Sequence, residues 1–156
     1  MHLSPINVVL QLLANTTSYS NILSTVATNA TYVSVSFGNQ DLAEIIPWAG
    51  THLNGGPAAV FFGLNGTSTY WNIDAFNIEE SFASAENVAV FGNFTYTTVA
   101  ESKTIQSPFS IWAKVNDGLI SYIRFMEDTY TTAGSFRVGG SWLVKSDPEK
   151  GVFRVP

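Results

Sequence analysis

Residues 108–120 read Pro-Phe-Ser-Ile-Trp-Ala-Lys-Val-Asn-Asp-Gly-Leu-Ile, and this pattern decides the fold. Phe109, Ile111, Ala113 and Val115 alternate with Ser110, Trp112 and Lys114, a period of two that sends one set of side chains to an interior and the other outward. We assign the first set to the interior. Asn116-Asp117-Gly118 breaks the run, because Asp and Gly accept the positive φ angles of a tight hairpin. A strand over 104–115 therefore returns as a strand over 119–127.

Outward from that hairpin, two earlier segments, 71–83 and 88–99, have the same character and meet at Ala85-Glu86-Asn87. The N-terminal half has a different rhythm. Ser4 is placed to accept amide hydrogen bonds at a helix start, with Pro5 at the first helical position, where no donor is needed. Ile6, Val8, Val9, Leu10, Leu12 and Leu13 then suit a core-facing helix ending at Ala14. A short helix over 19–26, a strand over 31–37, a loop over 45–57 and a third helix over 58–64 closed by Asn65-Gly66 follow. Pro47, Gly50, Gly55, Gly56 and Pro57 mark the loop. Helices first and a meander afterwards is an α+β order. We expect one domain over 1–134. Residues 135–156, with Gly139-Gly140, Trp142 and Pro148, form an extension packing on the same domain or on a partner.

Charged residues make up only 12% of the 156, while aromatics reach 13% and apolar residues 46%. A surplus of that kind needs a cavity, an interface or both, since large apolar patches are rarely left in water. The formal charge of −5 argues against nucleic acid and anionic membranes, which require a basic surface. With no cysteine, disulfides, thiolate catalysis and cysteine-ligated zinc are excluded. His2 and His52 give no ligand cluster, so neither metal nor other cofactor is expected. The opening residues lack a basic start and no apolar run spans a bilayer, so the expectation is a soluble, cytoplasmic protein. Sequons at Asn15, Asn29, Asn65 and Asn93 leave that expectation in place.

Three segments carry a resemblance. Pro47-Trp48-Ala49-Gly50-Thr51 with Gly55 precedes a helix whose apolar end is Val60-Phe61-Phe62. Ile78-Glu79-Glu80-Ser81-Phe82 leads into Glu86-Asn87-Val88-Ala89-Val90. The 108–120 stretch is followed by Asp128-Thr129. In combination, over about residues 6 to 130, these are similar to the SnoaL-like branch of the nuclear-transport-factor-2-like (NTF2-like) superfamily. The resemblance implies a strongly curved, mostly antiparallel sheet closed by N-terminal helices into a cone around an apolar pocket. It also implies a hydrophobic small-molecule ligand and a homodimer through the outer sheet face.

The family's chemical groups do not carry over. The interior His of polyketide cyclases falls at Ile111 and the interior carboxylate at Phe125. The Tyr and two Asp residues of ketosteroid isomerases fall near Leu10, Ser34 and Ile111. Catalysis must then rest on other groups whose pKa burial moves toward neutrality. Glu127 is in phase with Ile123 and Phe125, and is either a desolvated general base or a strand-end carboxylate in solvent. Asp74 shares a face with Phe76 and Ile78, as pocket acid or rim residue. Glu80 follows the same phase, although a bulge would exchange it with Glu79. His52 is either a proton shuttle at the pocket mouth or an exposed loop imidazole. Tyr32 is an oxyanion donor or a rim aromatic. Trp48, Trp71, Phe76, Phe109, Ile111 and Phe125 are expected to contact substrate.

Two functions follow. One is a cofactor-free enzyme of secondary metabolism, a cyclase or isomerase moving protons on a hydrophobic polyketide or terpenoid. The other is a non-catalytic module that uses the cone for binding or dimerisation. A cavity carboxylate without a neutralising partner distinguishes them.

Overall fold

The computed structural model describes residues 2–156, with the side chains of 66 and 67 left aside. Helix α1 (Pro5–Ala14) buries Val8, Val9 and Leu12, one apolar stripe at helical spacing. Each fully buried side chain of this kind contributes roughly 1.5–3 kcal/mol relative to exposure. Ser4 occupies the N-cap position but its side chain makes no capping bond, contrary to expectation. Its carbonyl instead accepts the Val8 amide at 3.1 Å. Helix α2 (Tyr19–Thr25) is capped by the Ser18 hydroxyl, which accepts from the Asn21 amide.

Strand β1 (Val26–Ser34) begins and ends earlier than the 31–37 reading, because α2 hands over directly to extended backbone at Val26. Two short elements escaped the sequence: α3 (Gln40–Ile45), capped by Asn39, and β2 (Gly50–His52) inside the loop. Helix α4 (Gly56–Leu64) begins with Gly56 at φ 63, where a side chain would collide with the Thr28 carbonyl. A 3₁₀ turn over Gly66–Thr69 leads into the meander.

The four long strands lie where alternation puts them: β3 (Trp71–Ser84), β4 (Asn87–Thr98), β5 (Thr104–Asn116) and β6 (Leu119–Glu127). Phe109, Ile111, Ala113 and Val115 are all buried. The sheet runs β2-β1-β6-β5-β4-β3, antiparallel throughout except where β1 lies parallel to β6. This is an α+β fold with N-terminal helices packed on a curved, mostly antiparallel sheet. Helix α1 touches β3, β4, β5 and β6, and α4 lies against β1, so the core fills the concave side.

After β6, Asp128 caps a short helix α5 (Thr129–Gly134) that the sequence reading passed over. Ser135 is buried and Phe136 packs on the core, so the chain leaves the body only beyond them. The tail then forms a small separate hairpin, β7 (Trp142–Val144) with β8 (Phe153–Val155).

Candidate active site

The concave side encloses a cavity of about 400 Å³. Its floor is aromatic: Phe94 and Phe125 face it from β4 and β6, and Phe76 from β3. Phe109 stacks on Phe76 at 4.6 Å and on Phe125 at 5.4 Å, supporting that floor from below. Ile111, also buried, lies one step deeper in the sheet, and neither Phe109 nor Ile111 lines the cavity. Trp71 meets Trp48 edge-on at 5.0 Å and stacks on Tyr96 at 3.9 Å, forming one wall. The mouth is polar, with Thr17, Ser68 and Asn72 exposed around it.

Among this hydrocarbon stand Tyr32 with its neighbour Ser34, Trp71 and Glu127. Tyr32 is buried on β1 with its ring against Gly63 of α4, where only glycine leaves room for the phenol. Burial holds its proton affinity far above the ordinary phenol range; the Ser34 hydroxyl opposes this and the nearby Glu127 carboxylate adds to it. Trp71 Nε1 is buried with no hydrogen-bond partner. Glu127, the last residue of β6, lines the cavity opposite Phe109, and its Oε2 is buried and unpartnered. Burial pushes the Glu127 carboxyl up to about 7, with the Asp128 charge adding to the effect and the neighbouring Thr132 hydroxyl opposing it. That hydroxyl is close, yet makes no hydrogen bond of ordinary geometry. A carboxylate with this proton affinity can both take and return a proton near neutral pH.

The other sequence candidates lie elsewhere. Alternation alone puts Asp74 in phase with Phe76, but a bulge between Ile73 and Ala75 turns it outward, where its carboxylate accepts the Thr97 hydroxyl at 2.7 Å. A second bulge, between Ile78 and Glu80, pairs Glu80 with Phe91 on the outer face. Each bulge inserts one residue and reverses the facing of those beyond it. His52 pairs with Tyr32 across β1 and β2 and stacks on its ring at 5.9 Å, without lining the cavity. Its Nε2 lies 2.8 Å from the Trp48 carbonyl, which can only accept, so Nε2 carries the proton. His52 thus buttresses Tyr32 and Trp48. Among the described residues no cluster of His, Cys, Asp and Glu has the form of a metal site. No described helix is long and apolar enough to cross a membrane.

The sequence reading missed Phe94 and Thr132. Phe94 was legible, since Val90, Gly92, Phe94 and Tyr96 continue one alternation. Thr132 had a weaker signal, the Asp128 cap three residues before Thr131.

Solved structures share this fold. An NTF2-like protein from Burkholderia thailandensis superimposes with a TM-score of 0.72, covering 86% of this chain and 98% of its own at 14% identity. A candidate polyketide cyclase from Streptomyces antibioticus, IdmH, gives 0.63, covering 85% and 98% at 11% identity. No family model matches the chain. Curated relatives are closer in sequence. Patulin biosynthesis cluster protein F of Penicillium expansum is 38% identical over 135 residues, 85% of this chain and 68% of the relative. The chain belongs to that protein's family, on the NTF2-like, SnoaL-like fold. Patulin synthesis protein F of Aspergillus clavatus is 42% identical over 119 residues, 76% of this chain. The chain spans 60% of that relative's length.

Proposed function

We propose that the protein is a cofactor-free acid–base catalyst, a cyclase or isomerase of secondary metabolism acting on a small, oxygenated, hydrophobic molecule. The observation that carries this reading is Glu127: a buried carboxylate lining an apolar cavity, paired with no cation among the described residues, and with a proton affinity near neutrality. A carboxylate buried only to serve the fold is ordinarily paired with a cation, and Glu127 has none among the described residues. Membership in the patulin cluster protein F family supports the placement in secondary metabolism.

In this mechanism the Glu127 carboxylate removes a proton from a C–H beside a carbonyl, or from a hydroxyl. From a C–H, the electron pair moves through the carbonyl onto its oxygen, which in this reading the Tyr32 hydroxyl and the Trp71 indole N–H steady. Protonated Glu127 then returns the proton to another carbon of the enolate, which isomerises the substrate. Starting from a hydroxyl, the deprotonated oxygen adds to a carbon–carbon double bond conjugated with a carbonyl of the same molecule. The new C–O bond closes a ring, and the enolate so formed takes the proton back from Glu127. Asp74, Glu80 and His52 have no part in it.

The test is turnover of oxygenated polyketide and terpenoid intermediates in D₂O, with products and deuterium incorporation followed by mass spectrometry. Glu127→Gln is expected to lower turnover by about 10²–10⁴, the range for a positioned acid–base group. Unchanged turnover would overturn this mechanism. The hydrocarbon that Phe125 presents to the cavity favours the second reading, a non-catalytic binding module, under which the same intermediates bind and are released unaltered.

A further inference from the structure

Glu127 is followed at once by a device that holds it. The Asp128 amide donates to the Ser107 hydroxyl at 2.9 Å, and the Asp128 carboxylate caps α5 through the Thr131 amide and hydroxyl, at 3.2 and 2.7 Å. On the inner side of α5, Thr132 is wholly buried. Its carbonyl accepts the Tyr96 hydroxyl at 3.2 Å and the Ser135 hydroxyl at 2.6 Å, which ties the helix to β4. One polar atom of Thr132 is left over: Oγ1 is buried with no hydrogen-bond partner. Glu127 Oε2 is in the same condition. Buried orphans are rare in folded proteins and costly, and these two are complementary, an acceptor and a hydroxyl that can donate.

We propose that Thr132 is the positioning residue for Glu127, its hydroxyl donating to Oε2 and so reserving the other carboxylate oxygen for the ligand. The proposal rests on Glu127 being the proton-transfer group, but its test needs no substrate. A hydrogen bond given to a carboxylate favours the ionised form, so Thr132 counters the burial and the Asp128 charge that favour the protonated one. The phenols of Tyr32 and Tyr96 also interact with Glu127, and burial keeps both neutral.

The experiment is a carboxyl ¹³C NMR titration of Glu127 in the full chain, assigned by its loss in Glu127→Gln. Thr132→Val removes the hydroxyl and keeps the shape; its Glu127 midpoint is expected to rise by about one pH unit. Thr132→Ser is expected to restore the wild-type midpoint. Thr132→Ala replaces the valine variant if circular dichroism shows that the latter does not fold. A midpoint unmoved in folded Val or Ala variants would overturn the proposal, as would a serine variant that follows valine. Unchanged turnover in Glu127→Gln would overturn the catalytic reading alone, because the titration reads the Thr132 bond directly.

Discussion

At the scale of one residue, Glu127 sets how stability responds to pH. Its folded-state pKa, about 7, lies above the ordinary carboxyl value, so the folded chain binds the proton more tightly than the unfolded one. That contribution is complete below the ordinary carboxyl range and is lost as pH rises toward about 7. Glu127→Gln keeps the shape and removes the charge. In thermal unfolding it is expected to match wild type near pH 4 and to exceed it near pH 8 by several degrees, a few kcal/mol at most. Equal melting temperatures at both pH values would contradict a buried, unpartnered carboxylate. Tyr32 shows how much of the site rests on its neighbours. Its phenol is confined by Gly63 and His52, residues of an adjoining helix and strand that no motif links to it.

At the scale of elements, the hairpins were the most legible feature. Asp117 and Gly118 adopt φ 50 and 77, the pair of positive values that Asp-Gly favours. The other hairpin is less well matched, because Ala85 takes φ 52, a left-handed conformation that crowds its Cβ. Ala85→Gly is therefore expected to stabilise the protein by about 0.5–1 kcal/mol in urea unfolding, the crowding relieved outweighing the glycine's added unfolded-state entropy. A destabilised variant would mean that the turn carries no strain. The bulges of β3 were only half legible: Glu79-Glu80 left a bulge open, Asp74 read as unbroken alternation, and only pairing with β4 shows where the extra residues fall. Helix α3, strand β2 and helix α5 are six, three and six residues long, too short for a period to declare itself.

At the scale of the molecule, the outer face of the sheet carries exposed aromatics among polar residues. Phe82, Phe91, Trp112 and Met126 are exposed there, 57, 41, 37 and 38% respectively. Arg124 lies over the rings of Phe37 and Trp112, at 5.5 and 4.9 Å, and no acid among the described residues pairs with it. Glu79 and Glu80 lie toward the opposite edge of the same face. A two-fold axis would bring these opposite charges toward each other and cover the aromatics, so a homodimer through this face remains our proposal. Phe91→Arg is expected to convert a dimer to a monomer in sedimentation velocity without loss of helix or sheet signal. A wild-type protein that sediments as a monomer at tens of micromolar would remove the idea.

Alternation, turn chemistry and composition were enough for the four-stranded meander, the leading and central helices and the need for an apolar interior, because each is a property of near neighbours in the chain. Glu127 was legible for the same reason, two steps beyond Phe125 on the part of β6 whose pairing with β5 is regular. The rest depended on segments distant in sequence. Bulges excluded Asp74 and Glu80, the Trp48 carbonyl turned His52 into a support, and α5 folded back to bring Thr132 beside Glu127. Whether a polar group enters a cavity depends on pairing and packing across the sheet, and those contacts exist only once the chain has closed on itself.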